Sequence, residues 1–141
     1  MNERPGAVHF VGHAMTAASI KASNSHLPNT QLESLSLKGD ALILENPSLT
    51  GQYLHASSLR TMISHPLFLA FCHDPAAAKV FLSAGAKQVV SVHQNPKLVK
   101  KAENLFTSMF YSNLWNEGSV VEKCFETARM AVEVNYGSEQ A

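Results

Sequence analysis

Apolar and polar positions fall into two kinds of stretch along the chain. Three short runs are mainly apolar and read as strands: Ala7 to Gly12, Leu67 to Phe71 and the Val-rich Lys87 to Val92. Continuous β-branched and aromatic runs of this length, closed by Gly, Pro or His, predict strands buried on both faces. Between them lie stretches of helical period. Asp74-Pro75 has the layout of a helix start, with Asp as N-cap and Pro at the first helical position. AAAKVFLSAGA follows as a helix that Gly85 closes. Asn95-Pro96 opens a longer helix whose apolar positions Leu98, Ala102, Leu105, Phe106, Met109 and Phe110 share one face. Glu117-Gly118-Ser119 interrupts it. Val120 to Val134 is then a last amphipathic helix, with Val121, Cys124, Phe125, Ala128 and Val132 inward. Apolar strands separated by helices predict an α/β fold with a parallel sheet covered on both faces.

The remaining stretches read less clearly. Ala14 to Glu33 mixes Ser, Asn, Thr, His and Pro and reads as a long loop. SLSLKGDALIL, from Ser34, reads as a small β-hairpin turning at Lys38-Gly39-Asp40. Asn46-Pro47-Ser48 ends that pattern, and LHASSLRTMI reads as a short helix stopped by Pro66.

Composition narrows the class. The chain has 141 residues, 45% apolar and 16% charged, a globular balance of one-domain size. Eleven basic residues offset eleven acidic ones, so no charge excess argues for nucleic acid or an anionic membrane as partner. No apolar run approaches the ~20 residues of a membrane span, and MNERPGA does not have the layout of a secretion signal. Cys72 and Cys124 make no disulfide framework, which points to a reducing, cytoplasmic compartment.

Candidate chemistry collects at strand ends. His13 and Cys72 both lie where apolar strands give out. In a parallel sheet those ends share one edge, the edge where open α/β folds build their sites. An imidazole beside a thiol can take its proton, and the thiolate is a nucleophile. Cys72 also precedes the helix begun at Asp74, whose N-terminus would favour the thiolate. Against this stand plainer readings: a free Cys in a strand is usually core, and a strand-end His usually a solvated group. Asp74 could orient His13 or bind a basic substrate side chain, although N-cap is its simpler role. His9 and His13, with Cys72-His73 at the same edge, make a poor zinc case, and no metal or cofactor is expected. Cys124 reads as core, Lys97, Lys100 and Lys101 as a solvated face, and His26, His55, His65 and His93 as surface or loop residues. Tyr111 and Trp115 read as packing or a docking patch.

The order of these segments has a family likeness. An apolar strand ending Gly-His, a polar stretch, SLSLKGDALILE, a short helix, LFLAFC, a helix ending FLSAGAKQVVSV and then LFTSMFYSNLWNEGSVVEKCFETARMA follow one another. From about Val8 to Val132 this resembles the CHAT domain, a caspase-like cysteine peptidase domain often attached to tetratricopeptide repeats. The resemblance implies a caspase-like three-layer α/β sandwich with a mainly parallel sheet, and a Cys/His dyad of His13 and Cys72. The thiolate would attack a peptide carbonyl and form an acyl-enzyme that water hydrolyses. The Ala14 and Cys72 amides would hold the oxyanion. It implies a protein or peptide substrate and a tetratricopeptide-repeat or other regulatory domain as partner, with no nucleic acid and no membrane.

The chain also departs from the family pattern. Ala14 stands where the family commonly has Gly, Phe71 where a small residue precedes the cysteine, and Val92-His93-Gln94-Asn95 where a Trp and an acidic residue often follow. These departures fit a divergent peptidase or, alternatively, an inactive scaffold or signalling domain that binds protein partners. The family fold has two strands ahead of the histidine strand, and seven residues precede Val8. Residues 1–141 are therefore expected to be one partial domain, incomplete at the amino-terminal side of its sheet, with an apolar edge at Val8 to Val11 that invites association.

Overall fold

The computed structural model describes residues 6–45, 51–63, 68–92, 98–116 and 118–141. The chain divides into two compact units, Met1–Gln94 and Asn95–Ala141.

The first unit is mixed α/β and holds two sheets. Strands β1 (Ala7–Phe10), β5 (Leu69–Cys72) and β6 (Gln88–Ser91) form a parallel sheet in the order β1-β5-β6. They are the three runs expected from the apolar pattern. Their register sets Phe10 opposite Cys72 and Cys72 opposite Ser91. Helix α4 (Pro75–Ser83) crosses between β5 and β6. Asp74 caps it, its Oδ1 accepting the Ala76 N–H at 2.9 Å. Small buried Ala77 and Ala78, with Val80 and Phe81, let α4 lie close on the sheet. On that face Val8, Phe10, Ala70, Cys72 and Val89 join the core, and the Phe10 ring meets Phe81 edge-on at 5.9 Å. Leu69, Phe71 and Val90, which alternate with that set, are also buried.

The second sheet is antiparallel and three-stranded, β2 (Ala14–Met15), β3 (Ala41–Glu45) and β4 (Gly51–His55). Here the structure departs from the sequence reading in three places. The stretch read as a loop from Ala14 to Glu33 holds β2, helix α1 (Ala17–Ser23) and the start of α2 (Asn29–Lys38). Thr16 caps α1 by accepting the Ser19 N–H, and the fully buried Ile20 anchors it. Polar composition hid this helix, because a single buried residue is enough to dock two turns. The SLSL run, read as the first hairpin strand, is instead the end of α2. Alternation over four residues fits either period, and Gly39 (φ 80°) takes the left-handed conformation that stops a helix. The β-hairpin exists one segment later, as β3 against β4, with Leu42 opposite Leu54. The expected LHASSLRTMI helix shrinks to α3 (Ala56–Arg60), because Leu54 and His55 belong to β4.

The second unit is a pair of helices, α5 (Lys100–Leu114) and α6 (Val121–Tyr136). The inward residues are those of the apolar stripes: Ala102, Phe110, Cys124, Ala128 and Val132 are buried. Phe106 meets Phe125 edge-on at 5.4 Å. Arg129 reaches Glu126 and Glu133 on the solvated side. The expected helix start at Asn95-Pro96 lies outside the described residues. Among the described residues no helix is long and apolar enough to cross a membrane.

Candidate functional site at the carboxyl rim of the parallel sheet

The site grows from the way β1 ends. β1 is parallel to β5 and directly beside it, so His13 and Cys72 do come to one rim. β1 closes at Phe10, and the chain then crosses to the antiparallel sheet. Gly12 is needed at this crossing: a Cβ there would stand 2.8 Å from the tip of the Phe10 ring. The His13 carbonyl accepts the Ile43 N–H at 2.9 Å, so this residue already belongs to the second sheet's edge. Its side chain is 77% exposed.

Asp74 joins the two halves of the rim. While Oδ1 caps α4, Oδ2 accepts the Ala14 N–H at 3.2 Å and lies 4.0 Å from His13 Nδ1. The sequence reading left Asp74 open between N-cap and partner of His13. The cap is made, and the second oxygen is given first to the Ala14 backbone. That bond also engages the amide expected to serve an oxyanion, and it places a carboxylate where negative charge would have to develop. The other expected oxyanion donor, Cys72, is a residue of β5 paired on both sides, with Phe10 and Ser91.

Cys72 itself is fully buried, inside the cluster formed with α4. Burial pushes its thiol up to about 12, and the nearby Asp74 carboxylate adds to the effect. A nucleophilic cysteine needs the opposite shift. The described structure thus brings His13, Ala14, Asp74 and Cys72 to one rim, with the imidazole in water and the sulfur in the core.

A second group of side chains lies at the same end of the sheet, on the face that alternates with Cys72. His9 Nε2 and His73 Nε2 are 2.8 Å apart. The His9 ring stacks on Phe71 at 4.8 Å, with 10° between planes. His13 lies beyond the end of β1 at Phe10, so strand alternation does not relate it to His9. The pairing of His9 with His73 was not read from the sequence, because that depends on the β1–β5 register. His55, expected at the surface, is buried, with Nδ1 3.2 Å from the Gly39 carbonyl oxygen. His26 is exposed and Cys124 buried, as expected; His65, His93 and Lys97 lie outside the described residues. Lys100 pairs with Glu103 at 2.9 Å. Tyr111 stacks on the exposed Trp115 at 6.5 Å. Among the described residues no three His, Cys, Asp or Glu side chains converge to hold a metal.

Comparison of the chain with protein-family models, with curated proteins and with solved structures finds no match.

Proposed function

We propose that this chain is a CHAT-like, caspase-related α/β domain that acts by binding protein partners and does not itself hydrolyse peptides. The observation that carries this reading is the state of Cys72: fully buried, with its thiol raised to about 12. At neutral pH almost no thiolate would exist to attack a carbonyl. The Ala14 amide bound to Asp74 supports the same conclusion, since an oxyanion would have to displace a carboxylate from it. Family likeness rests on the ordered segments from Val8 to Val132 and is supported by a parallel β1-β5-β6 sheet with His13 and Cys72 at its carboxyl rim. The expected partners are proteins, including a regulatory domain of the tetratricopeptide type, and the expected compartment is reducing.

One observation favours a second reading, a cysteine endopeptidase. β1 and β5 are parallel neighbours, and α4 starts three residues after Cys72. A partner that moved Asp74 off Ala14 and opened the rim would leave His13 to act as base and Cys72 as nucleophile. One experiment separates the two readings. The chain is treated with a thiol-reactive acylating peptide probe at neutral pH, native and unfolded, alone and with a candidate regulatory domain. Cys72 labelled only after unfolding supports the binding domain. Native labelling that His13→Ala abolishes would replace that reading with the peptidase.

A further inference from the structure

We infer that the outer edge of β1 is a self-association surface, where a second copy of this chain adds its own β1 antiparallel about a two-fold axis through His9. The inference uses the sheet edge alone and is independent of whether Cys72 is reactive. β1 stands at one end of the order β1-β5-β6, and among the described residues no strand pairs with its other side. The Leu69 N–H donates to the Gly6 carbonyl at 2.9 Å. The backbone groups of alternate residues face the same neighbour, so Val8 and Phe10 also turn theirs toward β5. The N–H and C=O of Ala7, and of Val11 one residue past β1, turn to the outside.

The side chains show the same unfinished edge. Val8 and Phe10 pack partly buried against the α4 cluster, while Ala70 and Cys72 beside them in the sheet are fully buried. The apolar layer therefore ends at β1 with one flank exposed, and Val11 beyond it is 74% exposed. Outward backbone groups beside apolar side chains are a template for another strand.

The order of residues says which strand fits. Ala7-Val8-His9-Phe10-Val11 has the same pattern of types read in either direction about His9. A two-fold contact needs such a match, because the same patch meets itself. In this register Val8 stands opposite the partner's Phe10 on the α4 face, and Ala7 opposite the partner's Val11 on the other face. Each of these flanking pairs is apolar against apolar. Ala7 and the partner's Val11 exchange both backbone hydrogen bonds, and Val11 and the partner's Ala7 do the same. The His9 ring stacks over Phe71 of β5 and so leans away from the added strand. Two three-stranded sheets become one, and a two-fold contact closes as a dimer without growing into a filament.

The test is light scattering on the full chain across a concentration series, together with mild oxidation of cysteine variants. The expected result is a dimer that dissociates on dilution. Ala7→Cys mixed with Val11→Cys should form an intermolecular disulfide, because opposed residues lie ~5.5 Å apart between Cα atoms. Neither variant alone should do so, because like positions stand about 14 Å apart at ~3.4 Å per residue. Cys72 and Cys124 are buried and do not compete. Ala7→Pro removes the outward N–H at the first position of β1, which proline tolerates, and should weaken dimerisation by at least ~10-fold. Circular dichroism checks that this variant folds, and the disulfide pattern stands without it. A monomer at every concentration, whether its β1 edge stays open or takes a strand from another protein, would overturn the inference. So would a dimer that Ala7→Pro leaves unchanged, or linkage in the single variants but not in the mixture.

Discussion

Two groups of reactive side chains share the carboxyl end of the parallel sheet, and they differ in what water can reach. On the α4 face Cys72 is sealed into the core, its neighbour Asp74 is engaged twice, and only His13 is open. On the other face His9 and His73 meet at an exposed pair standing on the buried Phe71. The difference comes from parity. Side chains alternate along a strand, so Phe10 and Cys72 turn to one face while His9 and Phe71 turn to the other. Proximity to a rim is therefore not enough for chemistry. The face that receives a helix close to the sheet loses its thiol to the core, and on the other face His9 and His73 pair with each other.

The comparison can be broken or sharpened experimentally. Phe71→Ala should show the largest effect, a loss of about 3–5 kcal/mol in denaturant unfolding, because it empties a fully buried aromatic position. A loss below ~0.5 kcal/mol would mean that Phe71 behaves as a surface residue and that the imidazole pair has no fixed floor. Gly12→Ala should cost about 1–3 kcal/mol, because its Cβ meets the Phe10 ring, which is packed on Phe81. Neutral behaviour would show that the crossing between the sheets is looser than described.

Asp74→Ala should cost ~1 kcal/mol through loss of the α4 cap, and Asp74→Asn distinctly less. Equal losses in the two would point instead to the carboxylate charge near His13. The subtlest effect lies at alkaline pH. The unfolded thiol ionises near 9.0 and the buried one near 12, so stability from the neutral thiol is intact below pH 9 and fades between pH 9 and 12. Unfolding free energy measured from pH 8 to 11 should therefore fall more steeply for the unaltered chain than for Cys72→Ala. Matching slopes would mean that the sulfur is solvated, and would return weight to the peptidase reading.

Much of the framework was legible from pattern alone. β1, β5 and β6 fall in the three mainly apolar runs, Asp74-Pro75 is a helix start, and the stripes of α5 and α6 repeat at helical period. These features are local, so neighbouring residues suffice to specify them. The stretch from Ala14 to Lys38 was not legible, because α1 is fastened by one buried Ile20 and a Thr16 cap instead of by an apolar stripe. Nor was the hairpin's register, since SLSL carries both periods and Gly39 decides where α2 stops.

At the candidate site the division is sharper. Sequence determined that a histidine and a cysteine end two apolar strands and that Asp74 follows to cap a helix. Tertiary structure alone decided that the strands are neighbours, that the sulfur faces α4, that Asp74 takes the Ala14 amide, and that His9 meets His73. Strand formation depends on residues next to one another in the chain. Burial, pKa and imidazole pairing depend on which face a residue presents after two distant segments come into register, and no single segment carries that information.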